Sequence, residues 1–170
     1  MPETKLSTRT RKWLKTFHIY LACVWGGGAA SLFAIHCLFT PESGPELYGR
    51  NIAMIYVDNY IIMPAAIGCM VTGLIYAQLT NWGYLKYYWI IVKGTANILF
   101  LVAGFFFWFI PWLERVAETS LTMRNYLVID PSYDVAMYVH MAMVFSQAAL
   151  VFFLVILSVF KPWGKTGMNW

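Results

Sequence analysis

Four apolar runs, each of 21 residues or more, decide what this chain can fold into: Leu14–Phe39, Asn59–Leu79, Tyr87–Trp112 and Ala136–Phe160. They stop at Pro41-Glu42-Ser43-Gly44, at Thr80-Asn81-Trp82-Gly83 and at Lys161-Pro162-Trp163-Gly164. About 20 apolar residues in a helix cross a hydrocarbon layer of about 30 Å, so each run is long enough to span one. Only 12% of the residues are charged, 60% are hydrophobic, and the mean hydropathy is +0.60. A soluble domain carries about 25% charge and cannot hide this much apolar surface. The expectation is an all-α integral membrane protein, a single up-down four-helix bundle over residues 1–170 with short connections.

Charge sets the orientation. Lys5, Arg9, Arg11, Lys12, Lys15, Lys86, Lys161 and Lys165 fall in the two tails and the second connection. The other two connections hold Arg50, Arg115 and Arg124 among Glu42, Glu46, Asp58, Glu114, Glu118, Asp130 and Asp134. The positive-inside rule then predicts both termini in the cytoplasm and a multi-pass protein of the cell inner membrane. Trp13, Tyr87, Trp89, Trp112 and Trp163 fall at the expected interfaces. The first run is too long for the core of a signal peptide and reads as an uncleaved helix. The segments Ile52–Val57 and Glu114–Met123 read as short interfacial helices. The net charge of +4 belongs to this membrane pattern rather than to nucleic-acid binding.

Several chemistries are excluded. Cys23, Cys37 and Cys69 are far apart and form no CxxC, so neither a disulfide framework nor covalent haem attachment is indicated. Gly26-Gly27-Gly28 lies inside an apolar run and is no phosphate loop; dinucleotide, HExxH and serine-elbow motifs are missing.

What does not belong in lipid is a short list: His18, His36, Lys93 and His140, with Asn97 and Gln147. Ionisable groups within a span are expensive and mark function by default. Counting about 1.5 Å per residue, His36 and His140 lie at matching depth near the outer boundary, and His18 and Lys93 near the inner one. His18 and His36 share a helix face about 27 Å apart, with Ala22, Trp25, Ala29 and Leu32 between them. Lys93, Asn97, Phe100 and Gly104 share another, as do His140, Met143 and Gln147. These stripes should face the bundle interior. Simpler roles compete: interfacial snorkelling for His18 and Lys93, cross-helix hydrogen bonds for His36 and His140, and packing for Met137, Met141 and Met143. Asp58 and Asp134, near outer helix ends, are expected to be solvated or capping.

The stretch Lys15-Thr16-Phe17-His18-Ile19, followed by Trp25-Gly26-Gly27, resembles the first helix of small bacterial membrane proteins that include HemJ-type protoporphyrinogen oxidases and CopD-type copper-resistance proteins. Pro64-Ala65-Ala66, Thr72-Gly73-Leu74, Trp82-Gly83, Trp89-Ile90-Ile91-Val92-Lys93 and Pro111-Trp112 resemble an uncharacterised four-helix inner-membrane family; together the likeness covers the first three runs. The HemJ resemblance implies haem b, with a required histidine on the first helix and lysine on the third, matching His18 and Lys93. His36 falls near a further family histidine, one turn closer to His18, and the arginine that normally precedes it is absent from Ser31-Leu32-Phe33-Ala34-Ile35-His36. The haem site is therefore carried over and the porphyrinogen substrate is not.

Three functions follow as expectations. The first is a haem b protein moving electrons within the membrane, as a haem-dependent oxidoreductase would, with one or two haems. His36 and His140 would hold an outer iron, and His18 an inner one with Lys93 at a propionate or as ligand. Trp25, Asn97 and Gln147 would line the pocket, and a quinone or porphyrin is the natural partner. The second is copper or other metal handling at His36, Cys37 and His140. The third is an accessory subunit of a homo-oligomer or larger complex, packing through Gly26–Ser31 and Gly68–Gly73.

Overall fold

The computed structural model describes residues 6–80, 82–103 and 131–167. Its regular elements are all helical: α1 (Thr8–Leu38), α2 (Gly44–Tyr56), a π-helical segment (Val57–Ile62), α3 (Met63–Gln78), α4 (Tyr88–Ala103) and α5 (Pro131–Phe160). Among the described residues, three helical stretches are long and apolar enough to cross a membrane: Thr8–Leu38, Gly44–Gln78 and Met137–Phe160. A shorter apolar helix, Tyr88–Val102, accompanies them. The expected continuation of the third run to Pro111-Trp112 and the expected interfacial helix at Glu114–Met123 lie outside the described residues.

Local chemistry sets the helix starts. Ser7 accepts a hydrogen bond from Thr10 N–H at 3.1 Å and caps α1. Ser43 caps α2, Pro45 follows in its first turn, and Glu46 reaches back to accept from Glu42 N–H at 2.8 Å. Ser43-Gly44-Pro45-Glu46 is thus a start signal, a serine with a glutamate three residues on.

The second expected helix begins earlier than its apolar run. Instead of an interfacial piece at Ile52–Val57 and a span from Asn59, one helical stretch of 35 residues runs from Gly44 to Gln78. No helix breaker stands between Pro45 and Pro64, and a buried stripe of Leu47, Asn51, Met54, Asp58, Ile62, Ala66, Cys69 and Thr72 runs through it. Pro64 has no N–H to give, and its ring would collide with the carbonyl four residues back in a regular α-helix. The chain widens instead, so that Met63 N–H bonds Asp58 O five residues earlier. Four-residue steps from Asp58 to Ile62 to Ala66 would drift around a 3.6-residue helix. The wide turn keeps them inward.

Small residues bring α1 against this long helix. A Cβ on Gly28 would lie 2.6 Å from Ile62 Cγ1, and one on Gly68 2.9 Å from Leu21 Cδ1. α1 also packs on α5, where a Cβ on Gly26 would meet Val151 at 3.5 Å, and α4 lies against α3 and α5. Trp25, Leu32, Met54, Ile62, Ala65, Cys69, Val144 and Leu154 form the core. At the end where α3 turns into α4, the tail after α5 pairs antiparallel with the turn through Tyr87 and Lys165. Thr166 N–H donates to Lys86 O at 3.1 Å, and its hydroxyl donates to Leu85 O at 2.6 Å.

Candidate functional site

Polar side chains gather at two levels of the bundle. At the level near the start of α1, His18 Nδ1 lies 2.8 Å from Thr72 Oγ1 of α3. Thr72 Oγ1 is also 2.6 Å from Gly68 O and 3.2 Å from Cys69 O. A carbonyl only accepts, so the one hydroxyl hydrogen is spent on the backbone and Thr72 must accept from His18 Nδ1–H. With that assignment the lone pair of the neutral ring is on Nε2. The ring reaches α3 because residue 73 is glycine; a Cβ there would stand 3.4 Å from His18 Cε1.

Lys93 is on α4, which packs against α3 and α5. Its Nζ donates to Ser158 Oγ of α5 at 2.7 Å, and Ser158 donates onward to Leu154 O at 2.6 Å. Among the described residues no carboxylate pairs with it. One turn along α4, Asn97 is 7% exposed and its Oδ1 has no described hydrogen-bond partner; Trp25, 2% exposed on α1, leaves its Nε1–H without one. Gln147 is half-buried on α5.

At the opposite end, His36 Nε2 of α1 is 2.9 Å from His140 Nδ1 of α5. His140 Nε2 is 3.1 Å from Asp58 Oδ2 in the π-helical segment. Asp58 was expected to be solvated or to cap a helix; it is 5% exposed and bonded to His140, because the helix begins a full α2 earlier and carries it inside. An ionised carboxylate only accepts, so His140 donates from Nε2; with both rings neutral, His36 donates from Nε2 to His140 Nδ1. The three groups form a line, each joined to the next.

This geometry bears on cofactors. Two imidazoles on one iron need nitrogens about 4 Å apart, twice a metal–imidazole bond of about 2 Å. At 2.9 Å, His36 and His140 are at hydrogen-bond distance. Asp58 takes the far nitrogen of His140, and among the described residues no three His, Cys, Asp or Glu side chains converge on one point. His18 is different. Its open Nε2, with the other nitrogen tied to a hydroxyl, is the arrangement of a metal-ligating histidine.

The candidates thus divide: His18 and Lys93 are neighbours, His36 and His140 are in contact, and Trp25 and Asn97 are buried. Asp58, Thr72 and Ser158 were not singled out as site residues. Thr72 and Ser158 are polar residues within apolar runs, a faint signal; Pro64 was the clue that the helix around Asp58 is irregular. No family model, curated protein or solved structure matches this chain.

Proposed function

We propose that the chain is an integral membrane bundle of four helices, both termini in the cytoplasm, that holds haem b at His18 and passes electrons within the membrane. The outward faces support the membrane reading: Phe152 and Val159 are 68% exposed and Phe160 75%, on a helix where water would penalise each. The bridge between Tyr87 and Lys165 puts the Lys86 turn beside the C-terminal tail, and antiparallel α1 brings the basic N-terminal tail to the same end. Such a basic end belongs in the cytoplasm.

The observation that carries the haem reading is the tautomer of His18, held by Thr72 with Nε2 open. Haem supplies one-electron exchange at iron when bound. The rest is the protein's work. Thr72 orients the imidazole and keeps its proton on Nδ1, Lys93 would hold a propionate, and the apolar core with Trp25 and Asn97 excludes water. The resemblance of the first helix to HemJ-type proteins supports the same two residues.

The test is optical. Purified in mild detergent and supplied with haem, the protein should show a Soret band and visible bands that shift on reduction. His18→Ala should lose them, His36→Ala should keep them, and Thr72→Val should weaken haem affinity 10- to 100-fold, as removal of a ligand's supporting partner does. A preparation that stays colourless after haem is added, or retains the spectrum in His18→Ala, overturns the assignment.

A further inference from the structure

The second polar level has no part in that reading. Asp58, His140 and His36 come from three separate elements and form a continuous hydrogen-bonded line, with successive distances of 3.1 and 2.9 Å. Burial changes along it: Asp58 is 5% exposed, His140 8%, and His36 is half-buried beside exposed Cys37 and Leu38. The line runs from a buried end at Asp58 to a half-buried end at His36, two residues before α1 stops and next to the Pro41-Glu42-Ser43-Gly44 connection. A carboxylate buried in an apolar stretch is costly, and a π-helical turn holds it there although a regular helix would be easier to form.

From this geometry we infer that Asp58, His140 and His36 form a proton-transfer line, carrying a proton between the water at the His36 end and the buried Asp58 carboxylate. The step balances as follows. His36 Nδ1 gains a proton from outer water; His36 Nε2–H passes its proton to His140 Nδ1; His140 Nε2–H passes its proton to Asp58 Oδ2. Three bonds to hydrogen form on the line, two break on it and one breaks in the donor water, so the carboxylate becomes a neutral acid and hydroxide stays in the outer water. Both rings end in the opposite tautomer, and the reverse sequence restores them. No oxidant or cofactor takes part.

Among the described residues, the charged and titratable groups around the line are few. On α2, Arg50 makes its charge felt at His36 and donates from Nη1 to Phe39 O at 3.3 Å. In the α1–α2 connection, Glu42 and Glu46 are tied together through Glu42 N–H. α1 offers Cys37 next to His36, and the π-helical segment and α5 contribute Asp58 and His140 themselves.

Nitrogen-15 NMR of histidine-labelled protein in lipid nanodiscs tests this, with single His→Gln variants to assign the signals. The expected result is a through-hydrogen-bond coupling between His36 Nε2 and His140 Nδ1, with both rings switching tautomer together as pH falls. Asp58→Asn should abolish that joint switch, since an amide cannot take the proton at the far end. In His36→Gln, exchange of the His140 ring proton with bulk water should slow at least tenfold. Rings that titrate as independent groups, or exchange at His140 that is unchanged in His36→Gln, would overturn the inference; the second measurement decides by itself if Asp58→Asn does not fold.

Discussion

The hydroxyl of Thr72 and the hydroxyl of Ser158 do the same job at two places: each gives its hydrogen to a carbonyl one turn back and so can only accept from the functional side chain, His18 in one case and Lys93 in the other. Reading the chain for ionisable residues finds His18 and Lys93 at once, because each is anomalous in an apolar run. It does not find their partners, since serine and threonine satisfy themselves inside helices by back-bonding and leave no trace in hydropathy. Lys93 is the less stable of the two placements: a half-buried ammonium with only a neutral hydroxyl as its described partner is costly. Lys93→Met, of similar length, should raise the stability of the haem-free protein by about 1 kcal/mol or more. The same change should weaken haem retention if the cation holds a propionate. Thermal unfolding in detergent and haem titration, run side by side, check the opposite signs.

The helices themselves were legible because apolar length is a strong signal, but one boundary was not. Asp58 closes the polar stretch ahead of the second apolar run, so hydropathy alone places it outside; the Ser43–Glu46 start signal, fifteen residues before Asp58, places it well within a helix. The helix begins at that serine cap, and Pro64 is accommodated by a widened turn rather than a break. The glycine patches read as packing surfaces before any contact was known. Their energetic weights differ, as contact geometry reveals. At Gly28 an added Cβ meets Ile62 Cγ1, near the stem of a branched side chain, at 2.6 Å; at Gly68 it meets the far end of Leu21 at 2.9 Å. Gly28→Ala should therefore destabilise by about 1–3 kcal/mol, the range for overpacking, and Gly68→Ala by clearly less. Adding Ile62→Ala to Gly28→Ala should cost less than the two changes summed, because Cγ1 is gone; a double-mutant cycle from unfolding midpoints measures the difference.

For the molecule as a whole, composition foretold an all-helical protein with little outside its apolar spans, and the described helices have that character. What composition could not foretell is how the bundle ends are joined. Two residues past a turn and five past a helix, Tyr87 and Lys165 have no apolar pattern to link them, and the pairing depends on backbone groups that any sequence carries. Its consequence is mechanical. A load applied to the C-terminus of a folded molecule does not reach α5 directly; it is borne first by the bonds from Thr166 to Lys86 and Leu85, a small clip between the tail and the α3–α4 turn. Single-molecule pulling from that end should show a separate early rupture before α5 peels away. Thr166→Val, which keeps the backbone bond and loses the hydroxyl bond, should lower the force of that event alone. In a helix hairpin otherwise free to slide along its own axis, such a clip acts as a detent, holding α4 and α5 at the one axial setting where Lys93 and Ser158 face each other.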